Sequence, residues 1–308
     1  MILDGNSTDN VSRGRGWNIL IGVLLAAVIA AGAMYGWKVF RGRRGQAPAS
    51  EGAATNAAPE LTASDLNDPG RQLIGQCRAL RSDGSLAEAR SKCYEALAQS
   101  GDAVVRAEAE SLLGLINIEL LFSPAPMPEK EEYSVQAGDS LDRIARKFKT
   151  TVDLIAKGNL LKSHVIRPGD RLRVFKGVFA IAVSKAGNDL VLSADGKFIK
   201  RYRVGTGQFG KTPAGTFVIV DKIVDPPWWR PDGKVIPFGD KENVLGTRWM
   251  SIAAVEGTEH AAGYGIHGTW EDDTIGKQAS AGCIRMHNPD VEELFILVPA
   301  GTRVTITE

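Results

Sequence analysis

The 308-residue chain balances 37 Lys and Arg against 36 Asp and Glu, and 44% of its residues are hydrophobic. That length allows two or three domains with at least one proper core, and the near-zero net charge excludes a protein that grips polyanions over its whole surface, nucleic acid included. The charge is uneven, however, because ten Lys and Arg stand against four Asp between Asp139 and Lys176.

After a short tail (1–16), Ile19 to Gly36 (ILIGVLLAAVIAAGAMYG) runs eighteen residues without a charge between Trp17 and Trp37. The pattern predicts a transmembrane helix over 17–37 with aromatic anchors at both interfaces. Ala31-Gly32-Ala33 also fits a signal-peptide cleavage site, the competing reading. Lys38, Arg41, Arg43 and Arg44 outnumber Arg13 and Arg15, so charge alone would put the C-terminal part in the cytoplasm. The cysteine usage and the chemistry below argue for the outside. Residues 38–66 hold the Ala, Gly and Pro run GQAPASEGAATNAAPE, which lacks the side chains for a core and reads as a flexible linker.

Residues 67–122 turn helical. Leu73, Ile74, Cys77 and Leu80 share one face, and Asp83-Gly84 makes a turn. Ser85 with Glu88 predicts a capping box for a second helix, and Asp102 caps a third that carries Val105, Leu112, Leu113, Ile116 and Leu120. This small all-α helical-hairpin region resembles a helical-repeat fragment. Cys77 and Cys93 lie eight residues either side of Ser85, so in antiparallel helices they face one another. A disulfide fits that placement, as do two reduced core residues.

Beyond the proline-rich SPAPMPEKEE, residues 133–175 predict a βααβ unit, with strands at Tyr133–Gln136 and Arg171–Phe175. Tyr133, Val135, Gly138-Asp139-Ser140-Leu141, Ile144-Ala145, Asn159 and Pro168-Gly169 resemble the lysin motif (LysM) over the whole segment. The resemblance implies binding of glycans that contain N-acetylglucosamine, chiefly peptidoglycan and chitin. A basic spacer domain is the plainer alternative.

From Val178 the pattern is strand-rich, with Asp195-Gly196 as a hairpin turn, and predicts a mainly-β domain over 178–307. Gly205-Thr206-Gly207-Gln208-Phe209-Gly210 satisfies a GxGxxG string, but a strand follows where a phosphate site needs a helix, so it reads as a strand connection. The loop at Pro226-Pro227-Trp228-Trp229-Arg230-Pro231 either covers a cleft or packs inward.

The chemistry concentrates in YGIHGTWEDDTIGKQASAGCIRM, residues 264–286, where His267 and Cys283 stand sixteen residues apart among small side chains. A cysteine nucleophile needs a base, donors for an oxyanion, and room for a carbonyl. His267 is the candidate base and the Gly268 carbonyl can hold its imidazole. The amides of Gly282 and Cys283 are candidate oxyanion donors. Arg285, two residues along an extended chain, lies on the side of Cys283, where it would favour the thiolate and hold a substrate carboxylate. His267, Cys283 and His287 as zinc ligands form the rival reading, at an unusual ligand spacing.

HGT and SAGCIRM, with RYRVGTG, KTPAGTFVI and DVEELFILVPAGTRVTI, resemble the L,D-transpeptidase catalytic domain over roughly residues 178–307. The resemblance implies a mainly-β, cofactor-free and metal-free enzyme in a multidomain chain. Its cysteine attacks a peptidoglycan stem at the third-residue carbonyl and expels D-alanine, and the amine of a neighbouring stem resolves the thioester. Carried over by position, Cys283 is the nucleophile, His267 the general base and acid, and Gly268 the orienting carbonyl. Gly282 and Cys283 supply amides, and Ser280 and Arg285 take the flanking substrate-side positions. It further implies acylation by carbapenems and an extracytoplasmic site held to the cytoplasmic membrane by one helix. Hydrolysis of the same bond and a non-catalytic wall tether are the alternatives. Oligomeric state stays open.

Overall fold

The computed structural model describes residues 68–255, 257–259 and 262–308. The expected tail, membrane helix at 17–37 and linker at 38–66 lie outside them. Among the described residues no helix is long and apolar enough to cross a membrane.

Three helices come first: α1 (Pro69–Ser82), α2 (Leu86–Gln99) and α3 (Ala103–Leu121). Asp68 caps α1 by accepting from the Gly70 N–H (2.7 Å), and Asp102 caps α3 by accepting from the Val104 N–H (2.7 Å). Ser85 does stand at the N-cap of α2, but its side chain makes no capping bond, so the predicted capping box does not form. The Gly84 turn brings α1 and α2 antiparallel, and Cys77 and Cys93 are joined by a disulfide with Cα atoms 6.0 Å apart. Both cysteines are fully buried.

The helices do not stand apart from the rest. Strands β3 (Phe179–Ser184), β4 (Asp189–Ala194), β5 (Lys197–Arg203), β7 (Gly215–Val224), β10 (Arg248–Ala254), β11 (Gly265–Thr269), β13 (Ile284–His287) and β14 (Arg303–Thr307) form one sheet in the order β13-β11-β10-β7-β14-β3-β4-β5. Within this sheet only β11 with β13 and β14 with β3 are parallel pairs. The Asp195-Gly196 hairpin between β4 and β5 has both residues at positive φ, the geometry a two-residue turn requires.

Edge strand β5 would present unpaired backbone groups, and α3 covers it. The buried Asn117 Nδ2 donates to the carbonyls of Ile199 (2.9 Å) and Phe198 (3.2 Å). Helical residues such as Leu113 and Ile116 and sheet residues such as Ile199 and Phe217 therefore share one core. Glu129, in the proline-rich connection, joins the assembly through a buried two-pronged ion pair with Arg90 of α2, at 2.9 and 3.1 Å. A pair this well enclosed is costly to break, about 3–5 kcal/mol when one partner is removed.

The expected βααβ unit comprises β1 (Lys130–Ser134), α4 (Leu141–Phe148), α5 (Val152–Gly158) and β2 (Arg171–Phe175). Its first strand starts three residues earlier than the sequence predicts, because antiparallel pairing aligns Lys130 with Phe175 and Ser134 with Arg171. Val135, Leu141, Ile144, Ile155, Leu172 and Val174 give it a small core of its own. Asp139 accepts from the Tyr133 hydroxyl and the Gln136 N–H, both at 2.8 Å, which fixes the turn into α4. Asn159 accepts from the Arg173 N–H (2.8 Å) and donates to the Arg173 carbonyl (3.0 Å), tying the end of α5 to β2.

Helix α5 also docks outward. Thr151 donates to the Ile296 carbonyl at the end of α6 (Asn288–Leu297), and Lys157 lies 4.1 Å from the centroid of the Phe122 ring. Lys222 caps the same end of α6, donating to the carbonyls of Phe295 (2.6 Å) and Val298 (2.7 Å), and burial pushes its pKa down to about 8.

Candidate active site

His267 sits in the middle of β11, a strand buried at all five positions. Parallel pairing sets His267 beside Arg285 and Ile266 beside Ile284, so Cys283, just before β13, falls next to Gly265. Alternation along both strands then puts Cys283, Arg285 and His267 on one face. Most of the fifteen residues between histidine and cysteine form the crossover between two adjacent strands.

His267 Nδ1 lies 2.6 Å from the Gly268 carbonyl. A carbonyl only accepts, so Nδ1 carries the proton and Nε2 keeps its lone pair. The ring of Trp249, directly opposite on β10, stacks on the imidazole at 5.6 Å between centroids. Burial holds the His267 pKa down to about 4, and the positive Arg285 adds to the effect against the pull of the Gly268 and Leu245 carbonyls. Burial likewise raises the Cys283 thiol above its ordinary value, opposed by the Gly265 amide and by Arg285. Both shifts have one cause, loss of water around a group that would carry charge. The resting pair is therefore a neutral thiol and a neutral imidazole. No hydrogen bond joins them here, and the thiol points to the Gly263 carbonyl at 3.8 Å.

The turn that carries the nucleophile is braced from within. The Gly282 N–H donates to Ser280 Oγ (3.0 Å), and the Ser280 hydroxyl donates to the Cys283 carbonyl (2.6 Å). Ser280 is buried, and its hydroxyl shapes the turn. The Gly282 amide is already engaged by Ser280. No acceptor among the described residues meets the Cys283 N–H, which leaves it as the available amide. Gly282 has φ +140, and a Cβ there would stand 2.6 Å from Tyr264 Cε1 and 3.2 Å from the Lys211 carbonyl, so only glycine fits.

Arg285 is engaged as well. Its Nη1 donates to Glu271 (2.6 Å) and to the Thr274 hydroxyl (3.3 Å), so this prong of the fork already has a carboxylate partner. His287 pairs with Asp272 at 2.8 Å, outside any cluster with His267 and Cys283. Among the described residues no group of three or more His, Cys, Asp and Glu side chains could hold a metal ion.

Cys283 opens onto a cavity of about 260 Å³ lined by Ile223, Pro226, Pro227, Trp228, Trp229, Leu245, Trp249 and Gly263. Trp228 and Trp229 form β8, paired with β9 (Val235–Ile236), so the aromatic loop is a short hairpin at the nucleophile. Its walls carry no charged side chain. The sequence reading missed Trp249 and Glu271 altogether. A tryptophan in an alternating strand looks like packing, and an acid fourteen residues upstream of its arginine gives no local signal.

The family model of the L,D-transpeptidase catalytic domain matches residues 179–306, and that of the LysM domain matches residues 133–175. YkuD of Bacillus licheniformis, whose name assigns it to the L,D-transpeptidases, is 36% identical over 184 residues, which span 57% of this chain and 98% of that protein. The chain belongs to the L,D-transpeptidase family. YkuD of Bacillus subtilis is 35% identical over 182 residues (56% of this chain, 97% of that protein), and YqjB of the same species is 42% identical over 129 residues (42% and 70%). In this transpeptidase the matched catalytic segment contains His267, Gly268, Ser280, Gly282, Cys283 and Arg285 together.

Proposed function

We propose that this L,D-transpeptidase cross-links peptidoglycan through a thioester on Cys283. The observation that carries the reading is the His267 tautomer: Nδ1 is fastened to the Gly268 carbonyl, so Nε2 is the basic nitrogen on the face that Cys283 shares.

In the first half-reaction the Cys283 thiol turns from Gly263 towards Nε2 and gives up its proton as sulfur attacks the stem carbonyl. The S–C bond forms and the C–N bond to the terminal D-alanine breaks, with the imidazole returning the proton to the leaving amine. The Cys283 N–H stabilises the oxyanion between these events. In the second half, an acceptor amine attacks the thioester and loses a proton to His267. The S–C bond breaks, and the sulfur recovers that proton. The apolar cavity excludes water from the thioester, which favours an amine acceptor over hydrolysis.

Incubation of the enzyme with purified disaccharide tetrapeptide, followed by mass analysis, tests this. The expected product is a dimer lighter than two monomers by one alanine residue and one water. A tripeptide monomer as the sole product would replace transpeptidation with hydrolysis.

The LysM domain holds glycan near the site, and residues 17–37 anchor the chain with the site outside the cytoplasmic membrane. Support comes from the uncharged run between Trp17 and Trp37, the bonded Cys77 and Cys93, and a substrate that lies outside the cell. Protease added to spheroplasts should digest residues 68–308, and full protection would reverse the orientation.

A further inference from the structure

The segment Gly205–Thr212 reads in sequence as a mere strand connection. In the structure it is fastened to the nucleophile turn. Its β6 (Thr206–Gly207) pairs in parallel with β12 (Gln278–Ser280), the strand that runs into that turn. Gln208 Nε2 donates to the Ala279 carbonyl at 3.2 Å. The Thr212 hydroxyl accepts from the Gly207 N–H and donates to the Gly282 carbonyl, both at 2.7 Å. The two backbones are so close that a Cβ on Gly207 would stand 2.9 Å from Gly282 Cα.

The tip of the loop is held differently. Phe209 has φ +53, a left-handed conformation unfavourable for an aromatic residue, and is 92% exposed. Its ring contributes nothing to a core. Strain of this kind persists where neighbouring contacts enforce it, and it concentrates at ligand-binding segments. Beside it Lys211 is exposed, with no acidic partner among the described residues.

Transpeptidation needs two substrates at one sulfur. The cavity beside Cys283, walled by Trp228, Trp229 and Trp249, has room for one stem, and with the donor held there as the thioester the acceptor must approach from elsewhere. None of the residues lining that cavity comes from the 205–212 loop. A Cβ on Gly282 would meet the Lys211 carbonyl at 3.2 Å, so the loop borders the nucleophile turn without lining the cavity.

We infer that Phe209 and Lys211 form the acceptor subsite, with the ring packing on the apolar portion of an incoming acidic peptide stem and the ammonium pairing with one of its carboxylates. The inference rests on the transpeptidase reading above, and the two halves of the reaction separate them. Acylation of Cys283 in the full chain by a donor stem without acceptor is followed by intact mass, and acceptor is then titrated.

Phe209→Ala should raise the acceptor KM about five- to tenfold, the scale of one lost aromatic contact, with donor KM within twofold. The products should shift towards hydrolysis. Phe209→Tyr should restore the acceptor KM, and Lys211→Glu should raise it in a way that added salt reduces. A normal acyl-enzyme combined with an unchanged acceptor KM in both Phe209→Ala and Lys211→Glu would overturn the subsite alone, as would donor and acceptor KM rising together. Absence of any acyl-enzyme in the wild type would overturn the transpeptidase reading and the subsite with it.

Discussion

Replacing Cys283 with alanine is expected to reduce stem turnover to the assay background and to remove the covalent adduct formed with a carbapenem. The reason is structural as well as chemical. Cys283 is the free thiol of the described chain, since Cys77 and Cys93 are bonded to each other and fully buried. The neighbouring Ser280 hydroxyl is committed to the Cys283 carbonyl and so does not stand ready as a substitute nucleophile. The turn is held by its own backbone and by Thr212, so the loss of one sulfur should leave the fold unchanged. Intact-protein mass spectrometry with a carbapenem gives the readout, and an adduct that survives in Cys283→Ala would end the mechanism.

His267→Ala should slow stem turnover by about 10²–10⁴-fold, the usual contribution of a general acid and base. The loss should be smaller towards a carbapenem, because ring strain lowers the barrier to expelling its nitrogen, although that nitrogen too ends by taking up a proton. The pH dependence separates this mechanism from a preformed thiolate–imidazolium pair. Burial disfavours both charged forms, so the imidazole is basic only down to about 4, well below its ordinary 6.5. Activity limited by the free enzyme should therefore hold as pH falls from 7 and decline only as His267 takes up a proton near that value. The thiol moves the opposite way, because burial raises it, and alkylation of Cys283 by iodoacetamide should climb only at higher pH than that of an exposed cysteine. An alkylation plateau already reached below pH 7 would establish the ion pair and refute the neutral resting state.

Which parts of this were legible in the sequence follows from the range of the forces involved. The His267 and Cys283 pair, the orienting Gly268, the LysM residues Asp139 and Asn159, and the Asp195-Gly196 turn are local patterns whose residue types have few other uses. The apolar faces of α1 and α3 were equally readable, because 3.6-residue periodicity records burial directly. For Ser280, Gly282 and Arg285 the structure adds partners that the sequence did not name: the Cys283 carbonyl, the Ser280 hydroxyl and Glu271. A sequence shows that a hydroxyl, an amide and a guanidinium are close, and it does not show which acceptor each has already found.

The sequence by itself determined a LysM segment and a mainly-β L,D-transpeptidase segment, and it named His267 and Cys283 as the candidates for the chemistry. Only the tertiary structure decided how those segments meet. Asn117 in α3 closes the open edge at β5, Arg90 and Glu129 bury a charge pair across 39 residues, and Thr151 ties the LysM domain to the end of α6. Burial, too, exists only after packing, and it sets both members of the catalytic pair neutral. Each of these depends on atoms distant in sequence losing water to one another, and a linear pattern holds no record of which surfaces do so.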